Sequence, residues 1–301
     1  MPVLISVIIP TLNSSKNLES ILQKLTNQTI LADEIIIVDS SSTDQTIDIA
    51  KKYDTRIEVI KKEEFNHAGT RTYASQISRG DFIIFLTDDA IPINQLLIEN
   101  LISPFKNDSI AAVGGRQLPN LNASLFSAHL RIFNYPKVSF NRSLQDKEKL
   151  GIKTIFLSNS CAAYRKSYLN QIGWFGENNL FGEDSIACAK LLMNGHSIAY
   201  NKDAMVYHSH NYSIIQEFKR YFDIGIFHSD NHWLLVEFGS AGKEGVKFVI
   251  SEFKYLINQR RFDLILQQPF RVFSKFFGYK LGRQHNSLPN FVKNKFSMYI
   301  K

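Results

Sequence analysis

Residues 34–44 read EIIIVDSSSTD, and this stretch sets the fold class. Four apolar β-branched residues in unbroken succession make a strand buried on both faces, the habit of a parallel sheet covered by helices. The run stops at Asp39 and passes into Ser40, Ser41, Ser42, Thr43 and Asp44, small polar residues suited to a turn and a helix start. Working outward, the same alternation fills the first 115 residues. With residues 34–38, further strands are expected at 4–9, 56–60, 81–86 and 110–113. Leu18, Ile21, Leu22 and Leu25 fall at helical spacing between the first two strands, and Ser42 or Thr43 is placed to cap a helix carrying Ile47 and Ala50. The expectation is an α/β fold with a mostly parallel central sheet flanked by helices.

In such sheets ligands bind beyond the carboxyl ends of the strands. The residues there are polar: Thr11, Leu12 and Asn13; Asp39 to Thr43; Asn66 to Arg71; then Thr87, Asp88 and Asp89. From about Gly151 the pattern changes. A bent strand is expected at 155–164, a helix at 167–172, a glycine-rich loop at 173–182, a helix at 184–194 stopped by Gly195, and two short strands at 196–200 and 204–207. Beyond Ile214 the chain reads as helical and aromatic. The domains expected are 1–213, carrying the chemistry, and a helical extension, 214–301.

The 301 residues carry a formal charge of +7. Residues 214–301 hold 14 Lys and Arg against 7 Asp and Glu, so the extension contains the whole excess and the rest balances. It has no finger, basic zipper or ribonucleoprotein signature, which argues against nucleic acid and for an anionic membrane surface. Phe270, Phe273, Phe276 and Phe277 alternate with Arg271, Lys275 and Lys280, so apolar and cationic sides separate on a helix; an oligomer contact is the other reading. Phe218, Tyr221 and Phe222, and Phe253, Leu256 and Ile257, read as packing faces. The N-terminus has no cationic region or cleavage site, and Cys161 and Cys188 lack partners at metal-ligand spacing. The cytoplasm is the expected compartment.

Asp39 has two readings: a carboxylate accepting from the ring N–H of a pyrimidine, or a helix cap, a role that fits Asp44 better. Asp88 and Asp89 close an apolar strand, where adjacent acids call for solvent, a cation or a helix N-terminus. Hard oxygen ligands there suit Mg²⁺ or Mn²⁺; a solvated turn before Pro92 is the alternative. Glu183 and Asp184 start a helix, where capping explains one acid better than two. His208, in the run Tyr207, His208, Ser209, His210, is either a third metal group or a satisfied structural histidine.

Several ordered pieces, SVIIPTLN, IIIVDSSSTDQT, FNHAGTRTYA, GDFIIFLTDDAIP, IGWFGENNLFGED and AMVYHSHNYS, together resemble glycosyltransferase family 2 enzymes of the GT-A fold, and among them bacterial rhamnosyltransferases of surface polysaccharide assembly. The likeness spans about residues 4–213. It implies that Thr11, Asn13 and Asp39 line the nucleoside, that His67 and Arg71 lie near base and phosphates, and that Asp88 stands on the nucleotide side. It implies Asp89 as the last acid of the metal-binding Asp-X-Asp motif, His208 as a further metal contact, and Asp184, with Glu183 beside it, as the catalytic base. Thr87 stands where the first acid of that motif often is. The implied reaction is inverting transfer of L-rhamnose from dTDP-L-rhamnose, assisted by Mg²⁺ or Mn²⁺, onto a glycan hydroxyl carried on polyprenyl diphosphate. The alternatives are a UDP- or GDP-linked donor, or a silent nucleotide-sugar-binding protein, against which the Glu183 and Asp184 pair argues. An oxidoreductase would want glycines after the first strand, and residues 10–13 offer none.

Overall fold

The computed structural model describes residues 3–176, 181–240 and 242–299, apart from the side chain of Lys243. The chain forms two compact units. The first is Met1–Asn120, Tyr135–Asp146 and Thr154–His208; the second is Leu121–Asn134, Lys147–Lys153 and Ser209–Lys301. Where the sequence suggests one cut at 213/214, these units also group two internal segments with the tail.

The first unit is built on nine strands: β1 (Ile5–Thr11), β2 (Glu34–Asp39), β3 (Arg56–Val59), β4 (Phe82–Leu86), β5 (Ile91–Pro92), β6 (Ile110–Leu118), β7 (Phe140–Arg142), β8 (Cys161–Arg165) and β9 (Ser197–Tyr207). The sheet order is β3-β2-β1-β4-β8-β6-β9-β5, with β7 also on β9. The block β3-β2-β1-β4 is parallel, as expected. The remainder is mixed: β8 lies antiparallel between β4 and β6, β6 and β9 are parallel, and β5 and β7 run against β9.

That insertion has a consequence for chemistry. Leu86 pairs with Cys161, so the start of β8 lies beside the end of β4. Since β4, β6 and β9 all point one way, the carboxyl ends of β1, β2, β4, β6 and β9 and the residues just before β8 share one edge. The bent strand expected at 155–164 begins only at Cys161. The two short strands expected after Gly195 are one, β9; its pairing with β6 steps from Asn201 to Met205, so residues 202–204 form a bulge that absorbs the expected break.

Helices of this unit are α1 (Ser15–Leu25), α2 (Thr46–Ala50), α3 (His67–Ile77), α4 (Leu97–Ile102), α7 (Lys166–Gln171) and α8 (Glu183–Met193); α5 and α6 lie in the second unit. The predicted α1 stripe Leu18, Ile21, Leu22 and Leu25 is buried in the core with Val7, Ile9, Ile37 and Ile84. At α2 the expected cap moves: the helix starts at Thr46, and the Asp44 carboxylate accepts from its N–H at 3.0 Å. At α3, the side-chain oxygen of Asn66 accepts from Gly69 N–H at 2.6 Å. A Cβ on Gly69 would lie 2.7 Å from Asn66 Nδ2, so the glycine belongs to the cap. Cys161 and Cys188 are buried free thiols.

The second unit is helical: α5 (Leu125–Asn134), α6 (Lys147–Leu150), α9 (Ile214–Asp230), α10 (His232–Phe238), α11 (Gly242–Asn258), α12 (Phe262–Arg283) and α13 (Asn290–Phe296). Ser213 and Gln216 form a capping box at α9. Here α9 and α12 meet backbone to backbone, because a Cβ on Gly278 or Gly282 would strike the carbonyl oxygens of Phe218 and Phe222. Ser274 Oγ donates to Ile214 O at 2.9 Å along the same seam.

Two of the three cations expected to face a membrane turn inward instead. Arg271 and Lys275 pair with Glu217 at 3.0 and 3.4 Å, all three nearly out of solvent. Arg271 also lies 4.1 Å from the centre of the Phe126 ring, and Lys275 5.1 Å from that of Phe248. The buried carboxylate on α9 supplies the reason: it needs compensation more than the surface does. Among the described residues no helix is long and apolar enough to cross a membrane.

Candidate active site

The shared strand edge gathers the predicted residues. At the ends of β1 and β2, Thr11 Oγ1 donates to Asp39 Oδ2 at 2.9 Å, and Ser42 donates from its N–H to Oδ1 at 2.8 Å and from its hydroxyl to Oδ2 at 2.6 Å. Asn13, at φ 53°, is tied across: its N–H donates to Ser42 Oγ at 2.8 Å and its side-chain oxygen accepts from Thr43 N–H at 2.8 Å. Asp39 has no exposed surface. With these donors Asp39 ties the two turns together at the place where the nucleoside contact is expected. Asn13 and Thr43 are among the exposed polar residues here.

After β4 the two acids diverge. Asp88 turns to the β1 side, where Ser14 Oγ donates to it. Burial, with Asp89 adding to it, pushes the Asp88 carboxyl above the ordinary carboxylate range. Asp89 turns to the end of β9: its Oδ1 accepts from Thr87 Oγ1 at 2.8 Å and lies 3.3 Å from His208 Nε2. His208 Nδ1 is 2.8 Å from Gln117 Oε1 at the end of β6. With Nδ1–H donating to that oxygen, Nε2, the nitrogen that faces Asp89, is the atom placed to ligate a metal.

These donors fit a divalent cation. His208 Nε2 and Asp89 Oδ1 are 3.3 Å apart, and two ligand atoms each ~2.1 Å from one ion stand about this far apart. The mixed carboxylate and imidazole set suits Mn²⁺ as well as Mg²⁺.

The third group is the start of α8. Glu183 is buried and its Oε1 lies 3.1 Å from Arg71 Nη1 and 3.0 Å from Asn159 Nδ2, which donates to it. Asn159 is itself held by Tyr164, whose hydroxyl donates to Asn159 Oδ1 at 2.8 Å. The Asn159 N–H donates to Asp184 Oδ2 at 3.2 Å and the Ser185 N–H to Oδ1 at 2.7 Å. Two carboxyls so placed titrate apart. Burial raises both, but Arg71, with His67 and Asn159, outweighs it at Glu183 and holds that carboxyl below its ordinary value. Asp184 is pushed up to about 7 by burial and by the Glu183 charge. Paired titratable groups driven apart in this way mark acid and base roles.

Glu183 is therefore paired with Arg71, whereas Asp184 has no such cation at this distance among the described contacts. Arg71 is itself buried, donating to His67 O at 3.1 Å as well as pairing with Glu183. His67 is half-buried beside it, its Nδ1 3.1 Å from Arg71 Nη1. The loop 173–182, expected to admit an acceptor, includes residues 177–180, which lie outside the described residues.

The model of glycosyl transferase family 2 matches residues 6–173. The chain belongs to that family. It is similar to the O-antigen chain rhamnosyltransferase WbaN of Salmonella anatum, 46% identical over 278 residues that cover 92% of this chain and 87% of the relative. With RfbN, an O-antigen chain rhamnosyltransferase of Salmonella typhimurium, it shares 43% identity over 297 residues, 98% of this chain and 94% of the relative. Its fold is similar to that of a mannosyltransferase from Pyrobaculum calidifontis solved with GDP-mannose and Mn²⁺, at a TM-score of 0.64 and 15% identity, covering 95% and 87% of the two chains. It is likewise similar to TarS of Staphylococcus aureus solved with UDP-GlcNAc, at 0.57 and 15%, covering 94% and 91%. The fold is the GT-A fold, and the chain is a glycosyltransferase.

In this family 2 glycosyltransferase, sequence reasoning missed Asn159, Gln117 and Ser14, each of which holds one of the acids or His208. Gln117 was legible in principle as a polar residue ending an apolar strand. Asn159 was not, because its importance depends on β8 lying antiparallel.

Proposed function

We propose that the chain transfers an L-rhamnosyl residue from a nucleoside diphosphate donor, dTDP-L-rhamnose, to a hydroxyl of a surface glycan, inverting the anomeric carbon. The observation that carries this reading is the identity above 40% with two O-antigen chain rhamnosyltransferases across nearly the whole of both partners. The site geometry supports the chemistry. Asp184 accepts the proton that the acceptor hydroxyl gives up as its oxygen attacks; general-base help of this kind is worth ~10²–10⁴ in rate. The new C–O bond forms at the anomeric carbon as the bond to the diphosphate breaks on the opposite face, and the diphosphate leaves with the electron pair. A divalent cation, when bound, offsets the charge on that leaving group. Asp89 and His208 would hold it, with Thr87 and Gln117 fixing their orientation. The latch of Thr11, Asp39 and Ser42 keeps Asn13 and Thr43 in place beside the nucleoside. The acceptor proposed is lipid-linked through polyprenyl diphosphate.

The test is a donor panel of dTDP-rhamnose, UDP-GlcNAc and GDP-mannose, each with Mg²⁺, Mn²⁺ or chelator, scored for donor hydrolysis and for transfer to a glycan acceptor. Turnover of dTDP-rhamnose that needs the cation and yields the inverted linkage is expected. Faster turnover of either other donor would reject the rhamnosyl assignment.

A further inference from the structure

The outward side of α12 carries large apolar side chains that the fold leaves in solvent. Phe262, Leu266, Phe270, Phe273 and Phe277 follow one another at spacings of four, four, three and four, so they form one stripe along about four turns. They are 66%, 74%, 67%, 66% and 46% exposed. Phe273 and Phe277 stack, ring centres 5.7 Å apart. The neighbouring α11 repeats the arrangement with Val246, Ile250, Phe253 and Ile257, each at least 41% exposed. An exposed apolar stripe as long as that of α12 marks a place of contact.

The charges decide between occupants. Although Arg271 and Lys275 are spent on Glu217, Lys254, Arg260 and Lys280 are exposed. Lys254 flanks the α11 stripe, Arg260 stands in the turn between the two helices, and Lys280 lies one turn beyond Phe276, its ammonium 5.7 Å from that ring. This unit holds the protein's cationic excess, so two copies meeting face to face would bring like charges together. An anionic lipid surface meets both the phenylalanines and the cations with their complements.

We propose that the α11–α12 face binds the surface of an anionic phospholipid bilayer, with the α12 stripe entering the headgroup region and Lys254, Arg260 and Lys280 on lipid phosphates. The inference stands independently of the donor and acceptor.

The full chain is to be sedimented with vesicles of phosphatidylcholine alone and of phosphatidylcholine with an equal part of phosphatidylglycerol, at low and high salt. Binding to the anionic vesicles that weakens with salt is expected. The pair Phe270→Ser and Phe273→Ser should lower partition on the order of 10-fold or more, since both rings lose apolar burial, with the melting temperature unchanged because both rings are exposed. Lys254→Gln, Arg260→Gln and Lys280→Gln together should flatten the salt dependence, a readout that survives if the serine pair misfolds. Wild-type protein that ignores anionic vesicles at low salt overturns the proposal. So does light scattering that shows a dimer which the serine pair dissociates while vesicles remain unbound, because the face then belongs to a second copy.

Discussion

Two adjacent acid pairs serve this enzyme, and they are compensated in opposite ways. At the start of α8, Glu183 receives a buried guanidinium from Arg71, and its neighbour Asp184 is left with a raised pKa and two backbone N–H donors. After β4, Asp88 receives a hydroxyl from Ser14 and backbone N–H groups but no cation among the described contacts, and Asp89 faces an imidazole nitrogen. A carboxylate pair with its own cation can stay dry and tune one member for proton transfer. A pair answered by a hydroxyl and an imidazole leaves room for a cation from outside. The sequence presents both as two acids in a row; the difference lies in what the fold brings to each.

The largest effect expected is at Asp184. Asp184→Asn should lower transfer by ~10²–10⁴ while nucleotide binding, followed by calorimetry, is kept. In the wild type, kcat/KM should rise with pH through about 7 as the base ionises. The sign for stability is the reverse: a carboxyl whose folded pKa lies above its ordinary 3.8 opposes folding as it ionises, so stability should fall between those values as pH rises. Asp184→Asn should remove that slope. A variant that keeps most of its turnover would end the distinction between the pairs.

Next is the internal cation. Arg71→Met strands a buried carboxylate, and loss of one partner of a buried pair costs about 3–5 kcal/mol. Glu183 is held below its ordinary 4.5, so the pair's contribution is present above that value and lost as pH falls through the lower folded pKa. The destabilisation seen in denaturant melts should therefore be large at neutral pH and shrink in acid. Adding Glu183→Gln should restore much of it. If Arg71→Met melts like the wild type but weakens nucleotide binding, the arginine works on phosphate after all.

For the other pair, Asp89→Ala and His208→Ala should each weaken binding of the nucleoside diphosphate in the presence of Mn²⁺ and leave the metal-free binding unchanged. Gln117→Ala acts through His208, and loss of such an outer partner commonly costs 10–100-fold in metal affinity. Equal affinities in all three variants would remove the shared cation.

What the sequence disclosed follows from the range of the interactions. Local periodicity revealed β1, β2, β4 and α1, because each reports its own burial. That Asp39, Asp89 and His208 stand at strand ends was legible too, because each follows an apolar run whose end the sequence marks. Asn159 depends on β8 entering antiparallel, and the burial of Arg271 and Lys275 depends on Glu217, some 55 residues away in the chain. Neither leaves a local trace. Asp39 shows the third limit: its intramolecular donors, Thr11 and Ser42, come from two separate turns and were not foreseen.

The smallest effect expected is at Thr87, which stands in place of an acid. Its hydroxyl donates to Asp89 Oδ1, the same oxygen that faces His208, so under the proposed metal site it would orient that carboxylate without adding charge. A hydrogen bond to a charged group contributes ~1.5–3 kcal/mol when both partners are buried, but Asp89 is about one-third exposed and water can replace part of it. Thr87→Val keeps the shape and removes the donor, so Mn²⁺-dependent nucleotide affinity should fall by several-fold, less than for Gln117→Ala. Thr87→Ser restores the hydroxyl and should recover the wild-type affinity, which separates positioning from packing. If valine binds the cation as well as threonine, Asp89 is held by its backbone alone. The contrast between the two pairs would then rest on Arg71 without any help from this hydroxyl.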